Sequence, residues 1–186
     1  FIDEVIKESG LRRKDIDAVA VGKGPGSYTG LRIGASAAKG IAYALNIPLI
    51  SMNTLLNLCV GAKKTIQDSN LILCPMLDAR RMEVYTAIYN ANMDYLQKTS
   101  AKIIDETSFE HELSNHVVYF FGDGAQKCES VLGINPNARV LADEQNSAKD
   151  LTTLALEKYN NQDFEDVAYF EPLYLKDFVV QSKKVK

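Results

Sequence analysis

A glycine-rich turn between an apolar run and an alanine-rich stretch constrains this chain more than any other feature. The apolar run at residues 18–21 predicts a buried strand, which we place over residues 15–22. Ser27 is a favourable N-cap for the helix that follows. Strand, turn and helix N-terminus together predict an α/β arrangement that could hold a phosphate, because unpaired backbone N–H groups point outward there. The candidate phosphate contacts are Gly24, Gly26, Ser27, Thr29 and Gly30.

The helix after the turn carries unusually small side chains along one face. It is predicted over residues 28–45 and contains both Gly34 and Gly40. Glycine inside a helix costs about 1 kcal/mol relative to alanine. We therefore expect another helix or a sheet to approach this face closely.

Composition limits the class of protein. The chain has 186 residues, is 46% hydrophobic and carries a formal net charge of −3, which is ordinary for a globular protein. This charge argues against a chain whose whole surface holds nucleic acid. The one dense basic cluster, Lys183, Lys184 and Lys186, is expected to be a solvated tail.

The cysteines and the apolar runs indicate the compartment. Cys59, Cys74 and Cys128 are odd in number and widely spaced, which predicts buried thiols and neither a disulfide framework nor a zinc site. The sequence has no apolar run of about twenty residues, and no signal peptide is recognised. We expect a cytoplasmic protein with no membrane contact.

Two similar orders of elements follow each other along the chain. Residues 1–66 predict helix, strand, helix, strand and a last helix that reaches about residue 66. Residues from 71 onward predict the same order, with the middle helix over residues 125–132, preceded by an antiparallel meander of three strands. This predicts two lobes, 1–66 and 67–186, of which the first lacks three leading strands. Because the chain begins at Phe1 inside a helical pattern, we expect its natural N-terminus upstream. Residues 167–180 are expected to pack back across a domain face.

Four motifs resemble the TsaB family, also called YeaZ. The longest is residues 24–34, and the others are residues 78–85, 122–125 and 172–176. The second has Met82 where the family usually has glycine, and the last has lysine where arginine is commoner. The resemblance covers essentially the whole chain. It implies the actin-like ASKHA fold, an α/β architecture of two ribonuclease-H-like lobes.

The resemblance also implies a function, which is participation in making threonylcarbamoyladenosine beside the anticodon of tRNA. In that family TsaB is not the catalyst but partners TsaD, a paralogue that binds metal and nucleotide, while the ATPase TsaE joins as a third subunit and TsaC supplies the activated intermediate. It implies no cofactor in this subunit, with ATP and metal in the partner subunits. It further implies tRNA contact only through the complex, and a homodimer when TsaD is absent.

The metal ligands of TsaD are missing here. TsaD follows its next strand with Asn-His-x-x-x-His, and Thr54 and Leu58 stand where the two histidines would be. Leucine cannot bind a metal, and threonine is a poor ligand for a transition metal. We therefore predict no catalytic and no metal-binding residue in this chain.

The two histidines are weak candidates for a metal site. His111 and His116 are five residues apart, so they do not share a helix face cleanly. A partly exposed helix and its loop is the favoured interpretation.

Two turns carry residues that could do chemistry. Asp78, Arg80, Arg81 and Glu83 could form a charged catalytic cluster, but aspartate and arginine at a hairpin more often serve the turn and solvation. Residues 122–124 precede a helix and could hold a phosphate, although a tight strand-to-helix turn is favoured.

The resemblance gives the small-residue helix a second use. In the family, two helices of the first lobe, here about residues 1–9 and 28–45, dock on the equivalent pair of TsaD. The partner-binding residues that this implies are Phe1, Ile2, Val5, Ile33, Gly34, Ala37, Ala38, Ile41 and Ala42. The alternative is that the small face packs only on its own sheet. We expect both uses, on different sides of the helix.

Two further functions stay open. One is an enzyme of the same superfold, either metallopeptidase-like or a phosphotransferase, because a fold alone does not decide function. The other is direct tRNA binding by the basic tail at residues 183–186.

Overall fold

The computed structural model describes residues 1–68, 71–141 and 144–176, and within them seven strands form two sheets. The strands are β1 Val19–Gly24, β2 Leu49–Asn53, β3 Leu71–Asp78, β4 Glu83–Tyr89, β5 Tyr95–Ile103, β6 Val117–Phe121 and β7 Ala138–Leu141. The helices are α1 Ile2–Glu8, α2 Tyr28–Leu45, α3 Thr54–Ala62, α4 Glu110–Asn115, α5 Asp123–Gln126, α6 Glu129–Leu132 and α7 Leu151–Asn160. None of these helices has the length and apolar character that a membrane crossing requires.

The first sheet consists of β1 and β2, which pair in parallel from Val19 opposite Leu49 to Gly24 opposite Asn53. Helix α2 covers one face of this sheet and α7 covers the other. The core on the α2 side contains Ala35, Ala38, Ala42, Leu49 and Phe170. Phe170 comes from the predicted return segment, which therefore packs on the first sheet as far as it is described; its residues 177–180 lie outside the described residues.

The second sheet has the order β5-β4-β3-β6-β7. Strand β4 pairs with both β3 and β5, and both pairs are antiparallel, which confirms the predicted meander. Strands β6 and β7 run parallel to β3. Because side chains of a strand alternate between faces, Leu71 and Leu73 pack on α3 and Cys74 and Met76 pack under α4, α5 and α6. The second sheet is thus covered on both faces.

Two helices cross between the sheets. The chain passes from the first sheet to the second at the predicted boundary near residue 66, but the helices do not follow that division. Helix α3 precedes the boundary and packs on the second sheet, whereas α7 follows it and packs on the first. The lobes 1–66 and 67–186 stay a prediction.

Helix α2 begins and ends where the sequence predicts. The Ser27 hydroxyl accepts the Gly30 N–H at 3.3 Å, and Asn46 ends the helix in a left-handed conformation with φ of 52°. Ser27 is therefore confirmed as the N-cap. Asn53 caps α3 in the same way, by accepting the N–H groups of Leu55 and Leu56.

Other element bounds differ from prediction. The first strand starts at Val19 instead of residue 15, because Arg12 bonds the Asp15 carboxylate with both its backbone N–H and its guanidinium and so stabilises a 3-10 turn. The helix predicted over residues 125–132 is two short helices, α5 and α6. The helix predicted to reach residue 66 ends at Ala62.

The three cysteines are free and buried, which confirms the sequence prediction. Burial raises the pKa of the Cys74 thiol to about 12. A thiol with such a pKa stays protonated at neutral pH and is a poor nucleophile.

Candidate functional site between the two sheets

A cleft of about 900 Å³ lies between the glycine turn of the first sheet and the β3–β4 hairpin of the second. Its first side is lined by Pro25, Gly26, Ser27, Tyr28, Thr29, Gly30, Leu31 and Thr54, and its second side by Leu77, Asp78, Ala79, Arg80, Tyr85 and Asp123, with Asn146 and Lys176 completing it. The carboxyl ends of the strands in open α/β sheets are where ligands bind. The structure thus brings together the glycine turn and the β3–β4 hairpin, which are far apart in the sequence and are predicted as separate features.

The candidate phosphate contacts do not all face this cleft. Gly26, Ser27, Thr29 and Gly30 line it, whereas Gly24 is buried and is not among its lining residues. The Gly24 N–H donates to the Thr54 hydroxyl at 3.1 Å. The expectation that Gly24 contacts a phosphate is therefore corrected, because its donor already has a partner. The phosphate interpretation of the other four stays a prediction.

Gly24 is held instead by the C-terminal part of the chain. Its φ is +109°, and a Cβ atom there would lie 2.9 Å from the Leu173 carbonyl oxygen. The Leu173 N–H donates to the Lys23 carbonyl oxygen at 2.6 Å. The close approach that glycine permits is thus made by residues 170–176, which we name the C-terminal strap.

The C-terminal strap connects α2 to β4. The Tyr174 ring stacks on the Tyr28 ring with centroids 4.6 Å apart, and the Tyr28 hydroxyl donates to the Lys176 carbonyl oxygen at 3.4 Å. The Lys176 ammonium pairs with the Glu83 carboxylate and lies 5.5 Å from the Tyr85 ring centroid. Sequence reasoning singled out residues 172–176 as a motif but missed these contacts, since nothing local to the motif indicates Glu83 or Tyr28 as partners.

The charged residues of the β3–β4 hairpin serve the turn. The Asp78 carboxylate accepts the Arg80 N–H at 2.8 Å, and Arg80 and Arg81 both adopt left-handed conformations, with φ of 70° and 52°. The Lys127 ammonium bonds Asp78 and lowers the pKa of that carboxyl below its ordinary value. The turn interpretation of this cluster is therefore supported over a catalytic one.

The turn at residues 122–124 is tight because it packs on β3. A Cβ atom at Gly122, where φ is +96°, would lie 2.4 Å from the Met76 carbonyl oxygen, and one at Gly124 would lie 2.8 Å from the Leu77 carbonyl carbon. Asp123 accepts the Asp78 N–H at 2.9 Å. These contacts favour the strand-to-helix turn over a phosphate site.

Thr54 and Leu58, which the resemblance places at the histidine positions of TsaD, have structural contacts. Thr54 accepts the Gly24 N–H, and Leu58 is 2% exposed in the core between α3 and the second sheet. His111 and His116 are exposed, on α4 and at its C-cap. Within residues 1–68, 71–141 and 144–176, no group of three or more His, Cys, Asp or Glu side chains is placed to hold a metal ion.

Three of the predicted partner-binding residues face the interior. Ala38 is 5% and Ala42 1% exposed, and both belong to the core with Phe170. A Cβ atom at Gly34 would lie 3.7 Å from Val21 of β1. The expectation that these three contact a partner is corrected, because residues at i, i+4 and i+8 share one helix face and that face covers the first sheet.

The remaining partner-binding candidates lie on the outside. Helix α1 buries none of its residues, and Phe1, Ile2 and Val5 are exposed. On α2, Ile33 is 65% exposed, Ala37 is exposed and Ile41 is half-buried. We name these six residues the docking face, after the partner contact that the resemblance implies for them.

Comparisons with known proteins agree with the motifs. A family model described as "TsaD: tRNA N6-adenosine threonylcarbamoyltransferase" matches residues 1–184. The chain is 30% identical over 191 residues to the tRNA threonylcarbamoyladenosine biosynthesis protein TsaB of Escherichia coli, covering 98% of this chain and 80% of the relative. It is 27% identical to TsaB of Bacillus subtilis over 192 residues, covering 100% and 80%. The match to TsaB of Haemophilus influenzae is 40% identical over 85 residues, covering 46% of this chain and 35% of the relative.

Solved structures show the same fold. YeaZ from Pseudomonas aeruginosa superposes with a TM-score of 0.75 at 23% identity, covering 94% of this chain and 81% of that one. A Pseudomonas aeruginosa protein described as similar to peptidase YeaZ gives a TM-score of 0.80 at 24% identity over the same shares. A family model and two relatives that match nearly the whole of this chain, together with a shared mixed α/β fold, lead to one conclusion. The chain belongs to the TsaB (YeaZ) family, within the wider family that the TsaD model describes.

Proposed function

We propose that this protein is a non-catalytic partner subunit of TsaD in the formation of threonylcarbamoyladenosine on tRNA, with TsaE as a third subunit. The names of its relatives support the pathway, since the proteins of Escherichia coli and Bacillus subtilis are tRNA threonylcarbamoyladenosine biosynthesis proteins. In this proposal the subunit needs no cofactor of its own, ATP and metal belong to the partner subunits, and tRNA is contacted only through the complex in the cytoplasm.

The observation that carries the non-catalytic role is the chemistry at Thr54 and Leu58. The resemblance implies metal-binding histidines at these two positions of TsaD. Here the Thr54 hydroxyl accepts a hydrogen bond from the glycine turn, and Leu58 packs in the core. A hydroxyl that already accepts a hydrogen bond and an aliphatic side chain are poor metal ligands. Metal analysis of the purified protein tests this directly, because a stoichiometric transition metal would favour the metallopeptidase-like alternative.

The docking face supports the partner role. Phe1, Ile2 and Val5, at the N-cap of α1 and within it, are apolar and exposed, and α1 buries none of its residues. Exposed apolar surface of this kind marks interaction sites. We propose that TsaD covers the docking face, and that a second copy of the chain covers it as a two-fold dimer when TsaD is absent.

We also propose that the two sheets are the cores of two ribonuclease-H-like lobes of the ASKHA fold. The order β5-β4-β3-β6-β7, with an antiparallel meander followed by parallel strands, supports this for the second lobe. The expected absence of three strands from the first lobe stays a prediction.

Binding to purified TsaD tests the docking face. We expect Ile33→Glu to weaken the heterodimer by roughly 100-fold, because a charge would be desolvated against an apolar partner. Val5→Glu should act in the same direction. Isothermal titration calorimetry measures the affinity, and analytical ultracentrifugation of each variant alone reports whether the homodimer is lost as well.

Ile103→Glu is the matched control. Ile103 lies on β5 of the second sheet and is 69% exposed, close to the 65% of Ile33. The same substitution there should leave the affinity for TsaD unchanged. Wild-type affinity of Ile33→Glu, or an equal loss in Ile103→Glu, would contradict the proposed surface.

A further inference from the structure

The cleft between the sheets has a buried side and an exposed side. At the buried side, α3 packs in the core of the second sheet through Leu58 while its first residue, Thr54, accepts the Gly24 N–H of the first. At the exposed side, the Lys176 ammonium of the C-terminal strap reaches Glu83 on β4. Helix α3 connects the two sheets, and beside it the Asn53 amide at the end of β2 donates to the Thr99 hydroxyl on β5 at 3.3 Å. The ion pair connects them separately, through the C-terminal strap.

The C-terminal strap is attached to the first sheet independently of this ion pair. Phe170 is buried in the core under α2, and the Leu173 N–H donates to Lys23. Tyr174 stacks on Tyr28 at the start of α2. If the pair between Lys176 and its partner on β4 breaks, these three contacts keep the strap on the first sheet.

We propose that the Lys176–Glu83 pair is a latch that holds the cleft at its present width, and that breaking it lets the second sheet swing away from the glycine turn about α3. The side chains of Lys176 and Glu83 are 36% and 27% exposed. Ion pairs with this much contact with solvent contribute little to the free energy of unfolding and are screened by salt. The latch can therefore open without unfolding either sheet, and the opening exposes the residues that line both turns.

The position of Lys176 in the wall of the cleft connects the latch to anything that binds in the cleft. Tyr28 and Tyr85 line the cleft and both contact Lys176, the first through its hydroxyl and the second through its ring. The latch thus lies in the wall of the cleft, and any ligand or partner segment that entered near Tyr28 would meet it. The inference goes beyond the proposed subunit role and does not depend on it.

Distances between two spin labels test the latch. Labels are attached at Thr153→Cys on α7, which packs on the first sheet, and at Ser130→Cys on α6, which packs on the second. Both positions are exposed and the native cysteines are buried, so the introduced thiols react selectively. Double electron–electron resonance is measured on labelled protein diluted with unlabelled chain, which suppresses distances between copies.

We expect one narrow distance population in the protein with an intact latch. Lys176→Glu and the milder Lys176→Gln should each add a second, longer population. Exchanging both charges, Lys176→Glu with Glu83→Lys, should remove it again. The protein with Lys176 and Glu83 intact should show the longer population at about 1 M salt, where the screening length falls to about 3 Å.

A control variant separates the latch from general loss of charge pairing. Asp163→Lys breaks the pair of Asp163 with Lys158, which joins the end of α7 to the segment that follows it. This variant should keep the narrow population. The proposal is overturned if the distance distribution stays unchanged in both Lys176 variants and in high salt. It is also overturned if the longer population remains after the charge exchange, or if Asp163→Lys produces the same longer population.

Discussion

Gly34 and Gly40 lie in the same helix but have different surroundings. A Cβ atom at Gly34 would meet Val21 of β1, whereas one at Gly40 would have nothing within 4 Å. The requirement for a small residue at Gly34 is therefore explained by the first sheet. At Gly40 the described part of the chain offers no such reason, and nothing in the structure explains the glycine there.

Replacing Gly40 by alanine tests this difference. We expect Gly40→Ala to raise the free energy of unfolding of the isolated protein by about 0.5–1 kcal/mol, because alanine loses less backbone entropy in a helix. Urea denaturation measures the change. Gly122→Ala is the opposite case and should lower the free energy of unfolding by more than about 1 kcal/mol, since its φ is +96° and its Cβ would meet the Met76 carbonyl. A loss of stability in Gly40→Ala would show that a neighbour restricts that position after all.

Thr54 makes a structural contact at a position where the resemblance implies a histidine in TsaD. Its hydroxyl accepts the Gly24 N–H at 3.1 Å, so the glycine turn is fastened to the start of α3. A turn donor that is satisfied inside the protein is not free for a phosphate. A single hydrogen bond thus connects the glycine turn to the first residue of α3.

At the scale of elements, α2 has two faces with different partners. Gly34, Ala38 and Ala42 face the first sheet and the C-terminal strap, whereas Ile33 and Ala37 face outward. The Lys39 ammonium also donates to the Ala168 and Phe170 carbonyl oxygens, at 3.0 and 3.1 Å. The small inner face lets the strap lie against the helix, so strap and helix stabilise each other.

Phe170 is the residue on which this packing depends. We expect Phe170→Ala to lower the free energy of unfolding by about 3 kcal/mol, because it removes a buried aromatic ring and leaves a cavity beside the alanines of α2. Tyr169→Ala is the matched control, since its side chain is exposed, and it should change the free energy by less than about 0.5 kcal/mol. Thermal unfolding followed by circular dichroism measures both variants. Equal effects of the two substitutions would show that the strap is not part of the core.

At the scale of the whole molecule, the helices join the two sheets into one unit. Helix α3 lies before the boundary near residue 66 and packs on the second sheet, while α7 lies after it and packs on the first. If one sheet and its part of the chain unfold, the other sheet loses the helix that packs on one of its two faces. The two sheets are therefore energetically coupled even though a cleft of about 900 Å³ separates part of their surfaces.

This arrangement predicts a single cooperative unfolding transition. Differential scanning calorimetry should give one peak whose calorimetric and van't Hoff enthalpies agree, because loss of one sheet removes a face of the other. Leu58→Ala, in the part of α3 that packs on the second sheet, should shift the whole peak to lower temperature. Two resolved peaks, or a shift of only part of the peak, would show independent lobes.

Much of the fold is predictable from local sequence. The apolar run before Gly22 and the cap at Ser27 predict β1 and α2, and short turns predict the β3–β4–β5 meander. These predictions succeed because periodicity, caps and turns act over a few residues. The start of β1 was wrong because Arg12 and Asp15 form a local side-chain bond that competes with the strand.

The features of the candidate site also fall into two groups, those that the sequence predicts and those that depend on tertiary packing. The sequence alone determined that the chain has a glycine turn, a helix of small residues, and Thr54 and Leu58 at the positions where the resemblance implies histidines in TsaD. Only the tertiary structure decided that Gly24 packs against Leu173, that Ala38 and Ala42 face inward, and that Lys176 reaches Glu83. Lys176 and Glu83 are separated by 93 residues along the chain. Contacts over such distances depend on how whole elements pack, and no local pattern encodes which of two apolar helix faces a sheet will cover.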